Sequence, residues 1–128
     1  MPFGVALPQD LNWETRPHEP GEPARHTAAL SDRLGATHVR SNLWRYEPGA
    51  RGKRHVHALQ EETFVVVSGA LTIYIGEPAE RVDVPPGGAV TVPAGVPLQS
   101  ANHGTDDLLV YAHGYPADHG AEVLDPVV

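Results

Sequence analysis

There is no cysteine in the 128 residues, so neither a disulfide framework nor thiolate chemistry is available. No stretch approaches the roughly 18 consecutive apolar residues that a membrane-spanning helix needs. Basic residues are scarce as well: nine Lys and Arg stand against sixteen Asp and Glu, for a formal net charge of −7. That balance argues against a nucleic-acid or anionic-membrane surface, either of which requires a basic patch. The one basic cluster, Arg51, Lys53 and Arg54, is short and lies in a glycine-containing turn. It reads as a solvated loop, with anion binding as the lesser alternative. The opening residues, MPFGVALPQDLNW, hold neither a basic leader nor a sustained apolar run, so a secretory signal is not expected. The expectation is a cytoplasmic protein that contacts neither membrane nor nucleic acid.

What the chain does have is turn-formers. Thirteen Gly and thirteen Pro make up about a fifth of it, against a usual combined share of roughly an eighth, while 41% of the residues are apolar. That combination fits many short strands around one core better than long helices or disorder. PHEPGEP, Pro17 to Pro23, is excluded from a helix or a central strand and reads as an extended arm. HTAALSDRLG, His26 to Gly35, is the only stretch compatible with a helix, of about two turns, and a strand followed by a turn fits it equally well. From His38 onward, short β-type runs alternate with turn signals. HVRSNLWRYE meets Pro48-Gly49, ETFVVVS meets Gly69, ALTIYIG places Leu71, Ile73 and Ile75 on one face, and RVDV, AVTV, LQSAN and LLVYAHGY follow. Strands about eight to twelve residues apart indicate an antiparallel sandwich or barrel. The expected division is an N-terminal arm over residues 1–37 belonging to the same fold, a barrel over 38–116 and a tail over 117–128.

RHVHALQEETFVVVSG, Arg54 to Gly69, carries the chemistry. In an extended strand His55 and His57 project to one face, roughly 6.6 Å apart along the backbone, with Val56 pointing the other way. Two imidazoles so placed can converge on one ion at about 2.0–2.1 Å from each nitrogen. A carboxylate from a neighbouring strand would complete a 2-His-1-carboxylate triad suited to Fe(II), Mn(II) or a similar divalent ion. Glu61 and Glu62 both follow closely enough, and strand parity accepts either. An inward Glu62 brings Phe64 and Val66 with it; an inward Glu61 brings Thr63, Val65 and Val67. An isolated pair of this kind is ordinarily just two surface or core histidines, so the surroundings must decide.

Those surroundings resemble the cupin superfamily, specifically its small single-domain conserved barrels. The family's first motif, G-x5-H-x-H-x3,4-E-x6-G, is met by Gly49, His55, His57, Glu62 and Gly69, and its final spacing selects Glu62 over Glu61. The second motif, G-x5-P-x-G-x2-H-x3-N, is met by Gly87, Pro93, Gly95 and Asn102. The resemblance spans Val39 to Tyr115 and covers nine of ten signature positions. It implies an all-β, antiparallel jelly-roll barrel with a metal held by His55, His57 and Glu62. The tenth position departs: where the family places a third histidine ligand, this chain has Leu98. Gln99 and His103 have the wrong strand parity to replace it. His113 on the last strand, with Tyr111 on the same face, is a candidate to approach the cavity from another wall. Leu98, Asn102, Phe64 and Trp44 are further pocket candidates, and Tyr46 shares the face of Trp44.

Two imidazoles and one carboxylate still suffice for a divalent transition metal, with Fe, Mn, Zn and Ni as the candidates. Weaker occupancy and a drier cavity on the Leu98 side are expected. The resemblance implies oxygenation, isomerisation or decarboxylation of a small organic molecule. The alternative is a non-catalytic metabolite-binding barrel with weak or no metal, which the missing histidine and the lack of an assignable acid/base pair favour. A nucleophilic hydrolase is disfavoured, because no Gly-x-Ser-x-Gly elbow is present. Single-barrel members of the family commonly pair through sheet edges and N-terminal arms, so a homodimer is implied. An exposed strand edge needs cover in any case, and residues 1–37 are the segment to provide it.

Overall fold

Alternation along the strands decides what this molecule buries. In the strand Leu108–Tyr115, Leu108, Val110, Ala112 and Gly114 are buried while Leu109, Tyr111 and His113 are half-exposed. A strand packed on one side only must read this way, because successive side chains leave opposite faces. The computed structural model describes residues 2–118 and 120–128. Among them the strands in chain order are β1 (Trp13–Thr15), β2 (Arg25–Ala29), β3 (Arg40–Tyr46), β4 (His55–His57), β5 (Glu61–Ser68) and β6 (Leu71–Ile75). They continue with β7 (Glu80–Val84), β8 (Ala89–Val92), β9 (Leu98–Ala101), β10 (Leu108–Tyr115) and β11 (Ala121–Val123). They form a six-stranded sheet ordered β1-β2-β3-β10-β5-β8 and a five-stranded sheet ordered β11-β4-β9-β6-β7. Every pairing is antiparallel. This is the all-β jelly-roll architecture expected from the sequence.

The core lies between the sheets. Leu71, Ile73 and Leu108 are fully buried, with Val66, Val92, Leu98 and Val110 beside them. Each such side chain contributes about 1.5–3 kcal/mol through its removal from water. Gly69 joins β5 to β6 at φ 76°, and a Cβ there would run into the Asp107 carbonyl oxygen and the Leu108 Cα. Both the turn and the close approach require glycine.

Residues 26–35 combine the two alternatives left open by the sequence. β2 runs to Ala29, a single helical stretch α1 (Leu30–Leu34) follows, and Gly35 ends it in the left-handed conformation at φ 71°. The Ser31 hydroxyl accepts from the Ser41 amide at 3.2 Å and so pins α1 to β3. No helix among the described residues is long and apolar enough to cross a membrane.

Both ends of the chain are tied to the sheets. β1 and β2 extend the large sheet beyond β3, and β11 caps the small sheet by pairing with β4. The buried Gln99 secures the C-terminus. Its Oε1 accepts from the Val127 and Val128 amides at 2.7 and 3.2 Å, and its Nε2 donates to the Gly52 carbonyl at 3.0 Å.

Candidate functional site

The three motif residues meet across the gap between the sheets. His55 and His57 come from β4 in the five-stranded sheet and Glu62 from β5 in the six-stranded one. The imidazoles sit edge to face, with ring centroids 4.9 Å apart at 89°. Each Nε2 lies 3.5 Å from the same carboxylate oxygen, Glu62 Oε1. One donor atom from each residue falls within 4.8 Å of the other two, and these three form the metal-competent cluster among the described residues. Glu61, its neighbour, is exposed on the other side of the strand.

The donor set fits a metal on its own chemistry. His55 Nδ1 lies 2.9 Å from the Lys53 carbonyl oxygen. A carbonyl only accepts, so Nδ1 carries a proton, and in the neutral ring it is Nε2 that is left free to bind a metal. Among the described residues, neither the buried Glu62 Oε1 nor the buried His57 Nδ1 has a hydrogen-bond partner. An orphaned buried carboxylate oxygen is costly, and a separation of 3.5 Å is too long for a good hydrogen bond. Ligands about 2.1 Å from one ion stand roughly 3.0–3.4 Å apart, close to the 3.5 Å between each imidazole nitrogen and Glu62 Oε1. The electrostatics agree: burial pushes the Glu62 carboxyl up, but the facing imidazoles of His55 and His57 outweigh it and hold the group down at about 2. Glu62 therefore keeps the charge a cation needs.

Around the triad is a cavity of about 200 Å³. β3 supplies one wall with Arg40, Asn42, Trp44 and Tyr46, its four alternate residues. Phe64 follows Glu62 on β5, Ser100 comes from β9, and Ala121 and Val123 of β11 form part of the rim. Arg16, Arg25 and Lys53 complete it. The Arg25 guanidinium lies over the Trp44 ring at 5.2 Å and the Tyr46 ring at 5.8 Å. Burial pushes the Tyr46 phenol up, against the pull of Arg25, so it remains a neutral donor.

Phe64 and Trp44 line this cavity together with His55, His57 and Glu62. Leu98 sits directly opposite His55 in the β4–β9 register and is buried in the core between the sheets. Asn102 is fully buried but holds a turn: its Nδ2 donates to the Tyr46 and Asp106 carbonyls at 2.9 Å, and its Oδ1 accepts from the Gly104 amide at 3.0 Å. Tyr111 and His113 correct the expected wall. They share the outer face of β10, away from the cavity, where the phenol and His113 Nδ1 bond each other at 2.9 Å. The inner face of β10 belongs to Leu108, Val110 and Ala112, so strand parity excludes both from the site.

Sequence reading missed Arg16, Arg25, Arg40, Asn42 and Ser100. The signal for two of them was the face Arg40, Asn42, Trp44 and Tyr46, where two polar residues lead an aromatic pair that a plain core strand would not need. The basic cluster divides: Lys53 lines both this cavity and an adjoining groove, Arg51 lines that groove alone, and Arg54 pairs with Glu77 at 2.7 Å.

The fold recurs widely in solved structures. A cupin-superfamily sugar phosphate isomerase from Silicibacter pomeroyi superposes with a TM-score of 0.74 at 23% identity, covering 92% of this chain and 80% of that one. A protein with a double-stranded β-helix domain from Klebsiella pneumoniae gives 0.70 at 22%, covering 87% and 90%. A Bacillus subtilis oxalate decarboxylase variant gives 0.67 at 21%, covering 85% of this chain but only 30% of that one. No curated protein matches by sequence. The family model described as the cupin domain matches residues 42–114, more than half of the chain, from Asn42 on β3 to Gly114 on β10. The chain belongs to the cupin family.

Proposed function

We propose that this protein is a metal-dependent enzyme acting on a small organic molecule, with His55, His57 and Glu62 as the ligands of one divalent transition metal. The observation that carries this reading is the buried Glu62 Oε1, held 3.5 Å from two imidazole nitrogens and bonded to no donor. Fe, Mn, Zn and Ni all suit two nitrogens and one carboxylate with positions left open. When bound, such an ion polarises a substrate carbonyl or lowers the pKa of a bound water. The chain's own groups do the rest. Trp44 and Phe64 exclude water from one side of the cavity, Tyr46 offers a neutral hydroxyl, and Asn42 and Ser100 offer orienting hydrogen bonds. The volume, below the ~300–1,000 Å³ of drug-sized sites, restricts the ligand to a small metabolite.

The relatives support an enzyme without choosing its reaction: one is described as a sugar phosphate isomerase, another as an oxalate decarboxylase. A second reading, a barrel that binds a metabolite without turnover, is favoured by Leu98 in the place of a third histidine. The two separate in one assay. Protein reconstituted with each of the four metals is followed by oxygen uptake and by NMR of a panel of small acids and sugar phosphates, with Glu62→Gln as control. Turnover that disappears in Glu62→Gln supports the enzyme. Saturable binding with no turnover under any metal establishes the binder.

We also propose that the chain pairs as a homodimer through its β1 edge, whose Trp13 is 40% exposed. A light-scattering mass near 13.7 kDa would contradict the pairing, and a doubled mass is expected.

A further inference from the structure

The chain has nine cationic side chains, and they fall into two groups. Arg33, Arg45, Arg54 and Arg81 each sit within 3.6 Å of a carboxylate. Arg16, Arg25, Arg40 and Lys53 all line the cavity around His55, His57 and Glu62, and none of these four ion-pairs among the described residues. The ninth, Arg51, lies outside the cavity. In a protein of net charge −7, four of the five cations without an ion pair among the described residues thus line one small opening, where Glu62 is the only carboxylate among the described lining residues.

Their placement works against stability. Arg16 donates its amide to the Arg25 carbonyl at 2.8 Å, extending the β1–β2 ladder by one step beyond Thr15 and His26. Two guanidinium groups are thereby set on neighbouring segments, neither ion-paired to a carboxylate among the described residues, and like charges so opposed are destabilising. Arg25 in turn pairs in register with Tyr46 on β3 and is held over Trp44 and Tyr46, which fixes its direction. Arg40 begins the same β3 face, and its Nη1 donates to the Asp118 carbonyl at 3.5 Å. A purely structural role would pair these charges, as the other four are paired. Planar guanidinium forks suit oxyanions, which they bind through two parallel N–H bonds. An opening of about 200 Å³ is too small for a nucleic-acid backbone.

Resting on the site reading above and deepening it, we infer that the ligand of this cavity is a small organic dianion. Its oxyanion seats on Arg16, Arg25 and Arg40, Lys53 closes the mouth, and the rest of the molecule faces His55, His57 and Glu62. Phosphomonoesters and dicarboxylates share this chemistry, and the test separates them.

Chelator-treated protein is titrated calorimetrically with glycerol 3-phosphate against glycerol, and with succinate against succinamide, at low and high salt. Without metal, the result bears on the anion seat alone and leaves the metal assignment to its own measurement. The inference expects at least one dianion to bind about ten-fold or more tighter than its neutral counterpart, weakening as salt screens the charges. Whichever pair shows this names the class. Arg16→Gln and Arg40→Gln should each weaken binding about five-fold or more, while Arg51→Gln changes it less than about two-fold. Neutral counterparts binding as well as the anions would overturn the inference. So would the absence of dianion binding at millimolar concentration, or an Arg51→Gln loss equal to that of Arg40→Gln, which would reduce the effect to the general field of the surface.

Discussion

Leu98 stands directly across the sheet from His55, paired with it in the β4–β9 register, and is buried in the core between the sheets. An apolar side chain therefore occupies the third imidazole position of the cupin motif. Leu98→His should restore that donor and tighten metal binding by at least about ten-fold, the lower end of what losing even an outer partner costs. The same change places a polar ring in the core, so the metal-free variant should lose about 1–3 kcal/mol of stability. Metal titration and chemical denaturation, with and without metal, check the two halves. A variant with unchanged affinity would show that Leu98 is not aimed at the site.

The three proposed ligands come from different sheets, so an ion held by all three would join β4 to β5 directly. Metal at about 100 times its dissociation constant should raise stability by roughly 2.7 kcal/mol. Glu62→Gln should abolish most of that gain. Thermal melts across a metal titration measure it, and equal gains in both proteins would contradict a shared site.

Acid and base should act on the metal-free protein from opposite sides. The folded Glu62 carboxyl titrates at about 2 instead of 4.5, burial being outweighed by His55 and His57. A depressed carboxyl adds stability that is complete above its unfolded value and lost as pH falls through the folded one. His55 shifts upward from 6.5: burial opposes the shift, and Glu62 and the Lys53 carbonyl overcome it. Its contribution is complete below the unfolded value and lost as pH rises through the folded one. Stability should therefore be greatest between 4.5 and 6.5 and decline on either side. Melting curves from acid to mildly alkaline pH test this, and Glu62→Gln should flatten both limbs.

Gly69→Ala should destabilise the fold by about 1–3 kcal/mol, since its φ of 76° and the approach of Asp107 and Leu108 leave no room for a methyl group. Equilibrium denaturation measures this. Gly87→Ala, also at positive φ but with no atom within 4 Å of the added carbon, should cost less.

The barrel was legible because two periodicities agree. Side chains alternate in β6 and β10, and turn glycines punctuate the chain at the intervals a small antiparallel barrel demands. The triad was legible because its three residues lie within one hairpin-length segment, where spacing alone brings them together. Arg16 and Arg25 were not, because they reach the cavity only after β1 and β2 fold back onto β3, a long-range pairing with no local signature. Tyr111 and His113 show the converse. Their shared face was readable, but which face looks inward depends on how β10 packs between β3 and β5. The cation cluster at 51–54 misled for a similar reason: Lys53 reaches the cavity, while Arg54 turns to Glu77 and Arg51 stays in the adjoining groove.

Elemental analysis decides whether His55, His57 and Glu62 hold one metal ion. Wild-type protein and a His57→Ala variant are reconstituted with Fe(II), Mn(II), Zn(II) or Ni(II), freed of excess and measured for metal per chain. Close to one equivalent of at least one metal is expected in the wild type and a small fraction of that in His57→Ala. Equal, substoichiometric metal in both proteins under all four conditions would contradict the shared site.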